Sequence, residues 1–282
     1  MINEMTEHNL TAKIKRIYNQ FSLPTPQVVN TANTIVAALL NTNKVGSIHI
    51  ILGKTGSGCS TVIQMCRKRL RRKFKNIVLL RSAPLNEEFN PWRLLLQHYG
   101  LYFDESDLKT KKTSIPRLMI DLIAHAAIDC IIFEDFSEGL NKSVEKQQAV
   151  EAWFSIARNS VCVDVILSIH NPHSAEWFEN EESVTCHRID EWEQSLQFSL
   201  FIGELQESLR VKYKVGANFS AHGNQLYKLC NGNTGNLLNL VREYAVAELL
   251  SPSNADSEVT ECLSLKNVVR HNAILFAAKS SQ

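Results

Sequence analysis

The sequence has no uninterrupted apolar run of the roughly 20 residues that a membrane-spanning helix needs. Its opening residues, MINEMTEHNL, are acidic and polar, and they lack the apolar region of a signal peptide. We therefore expect a protein that is neither exported nor inserted in a membrane, and we predict a cytoplasmic location.

Cysteine pairs with metal-ligand spacing are missing as well. The seven cysteines include no CxxC pair, and most of them lie in apolar runs, where cysteine behaves as a small hydrophobic residue. We expect neither a disulfide framework nor a zinc site, and this cysteine usage favours a reducing compartment.

An excess of charge of either sign is also absent. The formal net charge is +1, so an anionic partner must be held by local clusters rather than by the field of the whole chain. With 44% hydrophobic and 21% charged residues, the 282-residue chain can bury a substantial core. This length suits one α/β domain with a small helical addition.

Short apolar runs alternate with amphipathic helices through the first two thirds of the chain. The predicted strands lie at 47–52, 76–81, 129–134 and 162–169. This rhythm is typical of a mostly parallel sheet flanked by helices, and it predicts the α/β fold class.

Three helical patterns without strand signals follow, near 194–210, 223–231 and 235–250. They predict a small C-terminal helical lid. We accordingly divide the chain into a helical lead-in (1–45), an α/β nucleotide-binding core (46–192), a lid (193–250) and a tail (251–282).

A glycine-rich loop joins the first predicted strand to a helix. Gly53, Gly58 and Ser60 match the GxxxxGK[ST] pattern of a phosphate-binding loop. In such a loop, backbone N–H groups converge on phosphate oxygens, and the helix N-terminus adds partial positive charge. The predicted nucleotide-binding residues are Gly53, Lys54, Gly56, Gly58, Cys59, Ser60 and Thr61.

The lysine of that pattern is missing, because Cys59 occupies its position. The lysine normally donates charge-assisted hydrogen bonds to the β and γ phosphates, worth about 1.5–3 kcal/mol. A neutral thiol cannot replace this cation. Two alternatives remain open: the chain hydrolyses ATP slowly or not at all, or Lys54, at the second position of the loop, supplies the missing charge.

Two carboxylates end the third predicted strand, as in a Walker B motif. That motif has aspartate followed by glutamate, whereas this chain has Glu134 followed by Asp135. The first acid orders Mg²⁺, here together with Ser60, and the second polarises the attacking water. The shorter Asp135 would hold that water too far back, and a misplacement on the order of 1 Å can cost about 100-fold in rate.

Polar residues also follow the fourth predicted strand, where AAA+ domains place a sensor beside the γ-phosphate. Asn171 is the first candidate for this role and His170 the second, although either residue could instead cap the next helix. Arg188 lies at the distance where an arginine finger directed at a neighbouring subunit is expected, and a surface arginine is the alternative.

Together these stretches resemble the TniB/TnsC family of AAA+ regulators of DNA transposition, over about 24–250. The run from Asn171 through Arg188 to Trp192 is similar to that family's path from a GTPEA-like turn through SRF to a tryptophan. The run 231–237, NGNTGNL, resembles the EGNIG-like turn of its lid.

The resemblance implies an AAA+ fold, ATP and Mg²⁺ as cofactors, and an oligomer or filament that forms on duplex DNA. It also implies a transposase and a TniQ-type target selector as partners. Cys59, the transposed acids, and His187 in place of the serine before Arg188 depart from the family pattern and indicate weak or absent hydrolysis. An AAA+ adaptor without a DNA role is the alternative from another class.

Two basic clusters are candidates for contact with DNA phosphates. The first, at the end of the phosphate-loop helix, also suits the negative end of the helix dipole, and we interpret it mainly as a solvated face. The second lies where the resembled family lines a central channel, and it is the preferred DNA site. The members are Arg67, Lys68, Arg69, Arg71, Arg72, Lys73 and Lys75 in the first cluster, and Lys109, Lys111, Lys112 and Arg117 in the second. Apart from Phe74, neither cluster contains an aromatic residue, which favours duplex backbone binding with little sequence readout.

Overall fold

The computed structural model describes residues 2–41, 46–81, 91–102, 117–136, 162–170, 184–216 and 218–250. The chain divides into two compact units, one formed by Pro24–Asp190 and the other by Met1–Leu23 together with Glu191–Gln282. Helix α1 (Ile2–Gln20) falls in the second unit, whereas helix α2 (Pro26–Asn41) falls in the first. The two helices that the sequence groups as a lead-in therefore belong to different units.

The unit Pro24–Asp190 contains a five-stranded sheet with helices. After α2, its described elements are β1 (Ile48–Gly53), α3 (Cys59–Leu70), β2 (Ile77–Arg81), α4 (Pro91–His98), α5 (Arg117–His125), β3 (Cys130–Glu134), β4 (Asp164–Ile169) and β5 (Val184–Ile189). The strand order is β2-β3-β4-β1-β5, and every pair is parallel. The predicted α/β fold with a parallel sheet is confirmed.

The sequence analysis did not predict β5. This strand lies at the edge of the sheet and pairs with β1 alone. It carries His187 and the exposed Thr185 and Arg188, so it lacks the continuous apolar run of a strand that is buried on both faces. The sequence of β5 is therefore too polar to be distinguished from that of a loop.

Both faces of the sheet are covered by helices. On one face, α2 and α3 pack on Ile51, Ile132 and Ile166, and on the other face the helices α4 and α5 pack on Ile50 and Val165. Successive strand residues point to opposite faces of the sheet, so in a central strand the residues facing either side must be apolar. This burial explains the short apolar runs that made the central strands recognisable.

Two carboxylates hold the edge of the sheet where the strands begin. Asp164 accepts hydrogen bonds from the backbone N–H and the hydroxyl of Ser47, each at 2.9 Å. Asp129 accepts from the backbone N–H groups of Lys75 at 2.7 Å and Asn76 at 2.9 Å. These contacts hold the starts of β1 and β2 in place. The candidate site residues lie at the opposite edge of the sheet, where the strands end.

The second unit is helical. Its described elements after α1 are α6 (Leu196–Tyr213), a short 3₁₀ helix (Ser220–His222), α7 (Gly223–Cys230) and α8 (Thr234–Leu250). The three lid helices predicted from the sequence are present. Ile17 and Phe21 at the end of α1 are buried in the same core as Phe198 and Val241, so α1 contributes to this unit. The Arg242 guanidinium donates to the Phe21 carbonyl at 2.7 Å through Nη2.

Within this helical unit, Trp192 is hydrogen-bonded to the turn between α7 and α8. Its backbone N–H donates to the Gly232 carbonyl at 2.8 Å, and its indole Nε1 donates to Thr234 Oγ1 at 3.1 Å. The indole ring stacks on Phe201 with a centroid distance of 5.1 Å. A side chain at Gly232 would place its Cβ 2.3 Å from the Trp192 carbonyl oxygen, so only glycine fits there.

Among the described helices, none has the length and apolar character to cross a membrane. The cysteines of the described ranges are free thiols, and most of them are buried.

Candidate nucleotide-binding site

The loop between β1 and α3 has a backbone that depends on its glycines. Gly56 and Gly58 have φ angles of 85° and 112°, in the region that residues with a side chain rarely adopt. A Cβ at Gly58 would also lie 2.7 Å from Val28 Cγ2 of α2. Gly58 is the N-cap of α3 and provides no side-chain cap, so the first N–H groups of the helix are not capped by it.

Gly53 is required for a different reason. A Cβ at this position would lie 2.3 Å from Ser57 Oγ and 3.0 Å from Cys59 Sγ. The side chains of Ser57 and Cys59 therefore pack directly over the end of β1. The loop closes on itself, and the Ser57 N–H donates to the Lys54 carbonyl at 2.9 Å.

The thiol of Cys59 points into the protein. Cys59 is 1% exposed, and its sulfur lies 3.3 Å from Ser57 Oγ. Burial raises the pKa of this thiol, and the negative charge of Asp135 raises it further, while the hydrogen bond from Ser57 opposes the rise. The group is therefore neutral at pH 7, and it supplies no cation to the loop. Lys54 is exposed at the second position of the loop.

Asp135 leaves β3 in a left-handed backbone conformation, with a φ angle of 58°. Its N–H donates to Ser168 Oγ at 2.8 Å, and the N–H of Phe136 donates to the Ser168 carbonyl at 2.7 Å. Ser168 is fully buried in β4, so this turn is anchored to the neighbouring strand. Strand β4 lies between β1 and β3 in this parallel sheet, so the acidic turn and the phosphate loop lie at the same, carboxyl edge.

Glu134 is paired with an arginine that the sequence analysis did not select. Arg81 Nε donates to Glu134 Oε2 at 3.0 Å, with the two side chains 74% and 17% exposed, respectively. The two residues are register partners at the ends of the parallel strands β2 and β3. The sequence shows a basic residue at the end of one predicted strand and an acidic residue at the end of another. Only the strand order shows that these two residues are neighbours.

The sensor candidates lie in part outside the described residues. Asn171 falls outside them, whereas His170 directly follows β4, with its Nε2 4.0 Å from Asp135 Oδ1. The structure therefore brings the second candidate, His170, to the acidic turn.

Arg188 lies near the end of β5 and is exposed. It is the register partner of Leu52, one residue before Gly53, and its carbonyl accepts from Gln27 Nε2 at 3.3 Å. The arginine is thus held beside the phosphate loop of its own chain, and its role toward a neighbouring subunit stays a prediction.

His187 and His49 form a pair on the sheet. His49 Nδ1 and His187 Nε2 lie 3.1 Å apart, and the rings stack at a centroid distance of 5.3 Å. Burial lowers the pKa of His49 to about 4, with a smaller contribution from His187, and burial also lowers the pKa of His187. Both rings are therefore neutral at pH 7, and β5 carries an imidazole where the resembled family has serine.

Of the preferred DNA residues, only Arg117 can be placed. It is the first residue of α5 and is exposed. Lys109, Lys111 and Lys112 lie outside the described residues.

The backbone of the loop fits a phosphate group. Its left-handed glycines and the uncapped start of α3 provide the backbone N–H donors that a phosphate needs. Ser60 is half-buried at the start of α3, in position for the metal-binding hydroxyl. The carboxylate of Glu134, the candidate metal ligand, is paired with the Arg81 guanidinium.

No protein-family model matches the sequence, and no curated protein matches it significantly. Solved structures with a similar fold include a Walker-type ATPase of Pyrococcus abyssi, with a TM-score of 0.52, 11% identity and coverage of 94% of this chain and 80% of that chain. Another is Drosophila ORC bound to DNA, with a TM-score of 0.53, 13% identity and coverage of 90% and 69%. S. cerevisiae Hsp104 in a casein complex gives a TM-score of 0.53 and 12% identity, with coverage of 90% of this chain and 44% of that chain.

The sheet order, the glycine loop and these similarities define the fold of the chain. The chain has the α/β fold of AAA+ P-loop ATPases.

Proposed function

We propose that this chain is an AAA+ regulator of DNA transposition, similar to the TniB/TnsC family, that oligomerises on duplex DNA. In this proposal it links a transposase to a TniQ-type target selector, and it hydrolyses ATP weakly or not at all. The observation that carries the last part is the buried, neutral Cys59 thiol inside an otherwise intact phosphate loop.

The resemblance gains support from the contact between Trp192 and Gly232. These residues belong to the two stretches on which the resemblance rests most, and they hydrogen-bond to each other at 2.8 Å. A tryptophan after the last strand and a glycine turn in the lid thus form one structural unit. Similar structures alone do not choose the partner, since one of them is bound to DNA and another to casein.

The nucleotide would be held mainly by the main chain of the loop. The backbone N–H groups from Gly56 to Thr61 would donate to the phosphates, and the exposed Lys54 is the nearest lysine in the loop itself. Bound ATP with Mg²⁺ would supply a polyanion that a neighbouring subunit can recognise. We assign to Ser60 and Glu134 the holding of Mg²⁺, although Glu134 would first have to release Arg81.

Cleavage would be slow because two of the groups that should act on the γ-phosphate are altered. Cys59 carries no charge, and Asp135 stands in the water-activating position with a side chain one methylene too short. Asn171 or His170 would sense the γ-phosphate, and Arg188 would act on the nucleotide of a neighbour.

Phosphate release by the purified protein with ATP, Mg²⁺ and duplex DNA tests the proposal. We expect turnover close to background, and sedimentation with DNA should detect an oligomer. Turnover around 1 s⁻¹, within the ordinary enzyme range, would contradict weak hydrolysis and favour the second candidate, an active ATPase that uses Lys54. Loss of that turnover in Lys54→Ala would then identify the substitute cation.

The DNA part of the proposal is tested separately. A triple variant, with Lys109, Lys111 and Lys112 changed to alanine, should reduce the salt dependence of DNA binding by about two to three units, at roughly 0.9 per phosphate contact. Absence of any binding to duplex DNA by the unaltered protein would favour the alternative, an AAA+ adaptor without a DNA role.

A further inference from the structure

Four of the basic residues at the end of α3 divide into two groups. In the first group, Arg69 Nη1 donates to Asn33 Oδ1, and Lys73 Nζ donates to the Leu40 carbonyl at 3.2 Å. Both acceptors lie on α2. These two side chains therefore tie α3 to α2 and are held by the fold.

The second group contains Arg67 in the last turn of α3 and Arg71, the C-cap residue of that helix, four residues later. At a rise of 1.5 Å per residue, their Cα atoms are about 6 Å apart along the helix axis. Side chains on a helix lean toward its N-terminus, which for α3 is the phosphate loop at the carboxyl edge of the sheet. Arg67 therefore leans toward the edge where β2 ends.

Arg81 is the residue at the end of β2. Ile77 and Leu79 of the same strand pack against the core that α3 covers, and the alternation of strand side chains places Arg81 on that same face. Its pairing with Glu134 uses Nε, and the side chain remains 74% exposed.

Arg67 thus lies within electrostatic reach of both Arg71 and Arg81. The pKa of Arg67 is lowered, first by burial and then by the positive charges of Arg71 and Arg81. Arg67 Nε is buried without a hydrogen-bond partner among the described residues. Like charges held together cost free energy, and the ion pair with Glu134 involves only Arg81, so a further anionic partner would relieve the repulsion around Arg67.

The helix dipole does not explain the arrangement. It favours cations in the last turn of α3, where Arg67 lies, but Arg81 belongs to a strand. The three residues come from the end of α3 and the end of β2, which suits a partner with several negative charges. DNA presents a phosphate every 3.4 Å along each strand, and the arginine fork matches phosphate geometry.

We propose that Arg67, Arg71 and Arg81, here called the arginine row, form a surface that binds the phosphate backbone of duplex DNA. The inference rests on the proposed function, because it gives the DNA partner a path on α3 and β2 in addition to the lysines predicted from the sequence. Contacts to phosphates position a duplex without reading its bases, so the row should bind unrelated sequences alike.

Fluorescence anisotropy of two labelled duplexes of unrelated sequence, over a series of salt concentrations, tests the row. The test variant is Arg67→Gln with Arg71→Gln, and Arg71→Gln alone serves if the double variant does not fold. The control is Lys212→Gln with Lys228→Gln, which removes the same charge from exposed sites of the helical unit. Thermal melting by circular dichroism confirms that each variant is folded.

We expect the slope of log K against log salt to fall by about two in the double variant and by about one in Arg71→Gln, at roughly 0.9 per lost phosphate contact. The control should leave the slope nearly unchanged. An unchanged slope in both arginine variants would show that the arginine row does not bind DNA. The proposed function would not be affected by that result.

The remaining outcomes separate the row from the proposed function. If the unaltered protein does not bind duplex DNA, both are overturned. Tighter binding of poly-glutamate than of DNA would identify an acidic protein as the partner and overturn the row. A slope loss confined to the arginine variants, with no oligomer on DNA by sedimentation, would support the row and contradict the proposed function.

Discussion

Arg81 and Glu134 form an ion pair at the last matched position of β2 and β3, with 3.0 Å between Arg81 Nε and Glu134 Oε2. The acid occupies the place where a Walker B motif carries its metal-ordering aspartate. A cation supplied by the protein therefore stands next to the site where Mg²⁺ would be expected. This relationship connects the altered motif with a testable change in metal dependence.

We predict that nucleotide binding by this protein depends little on Mg²⁺, because Arg81 already neutralises Glu134. Calorimetric titration should give an ADP affinity in the presence of Mg²⁺ that differs by less than about fivefold from the affinity in EDTA. This limit corresponds to the roughly 0–1 kcal/mol of an exposed ion pair. Arg81→Gln should increase this difference. Lys68→Gln, which removes an exposed charge from α3, is the control, and a strong Mg²⁺ dependence of the unaltered protein would contradict the prediction.

Cys59→Lys should raise the affinity for ATP by about 10- to 100-fold, since a charge-assisted hydrogen bond contributes roughly 1.5–3 kcal/mol. Hydrolysis should recover less, because Glu134 and Asp135 remain transposed. Titration of both proteins with ATP measures the first effect, and phosphate release measures the second. Cys59→Ser, which stays neutral and small, is the control, and equal ATP affinities of all three proteins would show that another group replaces the lysine.

The His49 imidazole should make the protein less stable in acid. Its pKa is about 4 in the folded state and 6.5 when unperturbed, so only the unfolded state takes up a proton between these values. Stability is unaffected by this group above pH 6.5 and falls as the pH decreases toward 4. The expected loss at pH 5 is about 2 kcal/mol.

Urea denaturation at pH 7.5 and pH 5 measures this loss. His49→Gln should reduce the difference between the two pH values, because glutamine does not titrate. His125→Gln, at an exposed position of α5, should leave the difference unchanged. An equal difference in the His49 variant and the unaltered protein would assign the acid sensitivity to other groups.

Gly232→Ala should destabilise the helical unit by about 1–3 kcal/mol, because the residue has a φ angle of 71° and its Cβ would lie 2.3 Å from the Trp192 carbonyl oxygen. Thermal melting measures the change. Gly203→Ala is the matched control, since nothing lies within 4 Å of its Cβ and alanine favours the interior of α6. Equal melting temperatures for the two variants would show that Trp192 and Gly232 are not held together.

The sequence by itself determined the phosphate loop and the central strands. The spacing of Gly53 and Gly58 after an apolar strand, and the apolar runs of β1, β3 and β4, are local signals that need no knowledge of other parts of the chain. The loss of the lysine at Cys59 was visible for the same reason. The neutrality of that position follows from residue type, and burial strengthens it.

Only the tertiary structure decided which distant residues meet. The strand order and register pair Arg81 with Glu134, and the lid fold pairs Trp192 with Gly232. The polar edge strand β5 became recognisable through its pairing with β1, and Arg81 joined Arg67 through the shared face of α3 and β2. The physical reason is that periodicity along the chain reports which side of an element is buried, whereas contacts across a sheet depend on strand order and register.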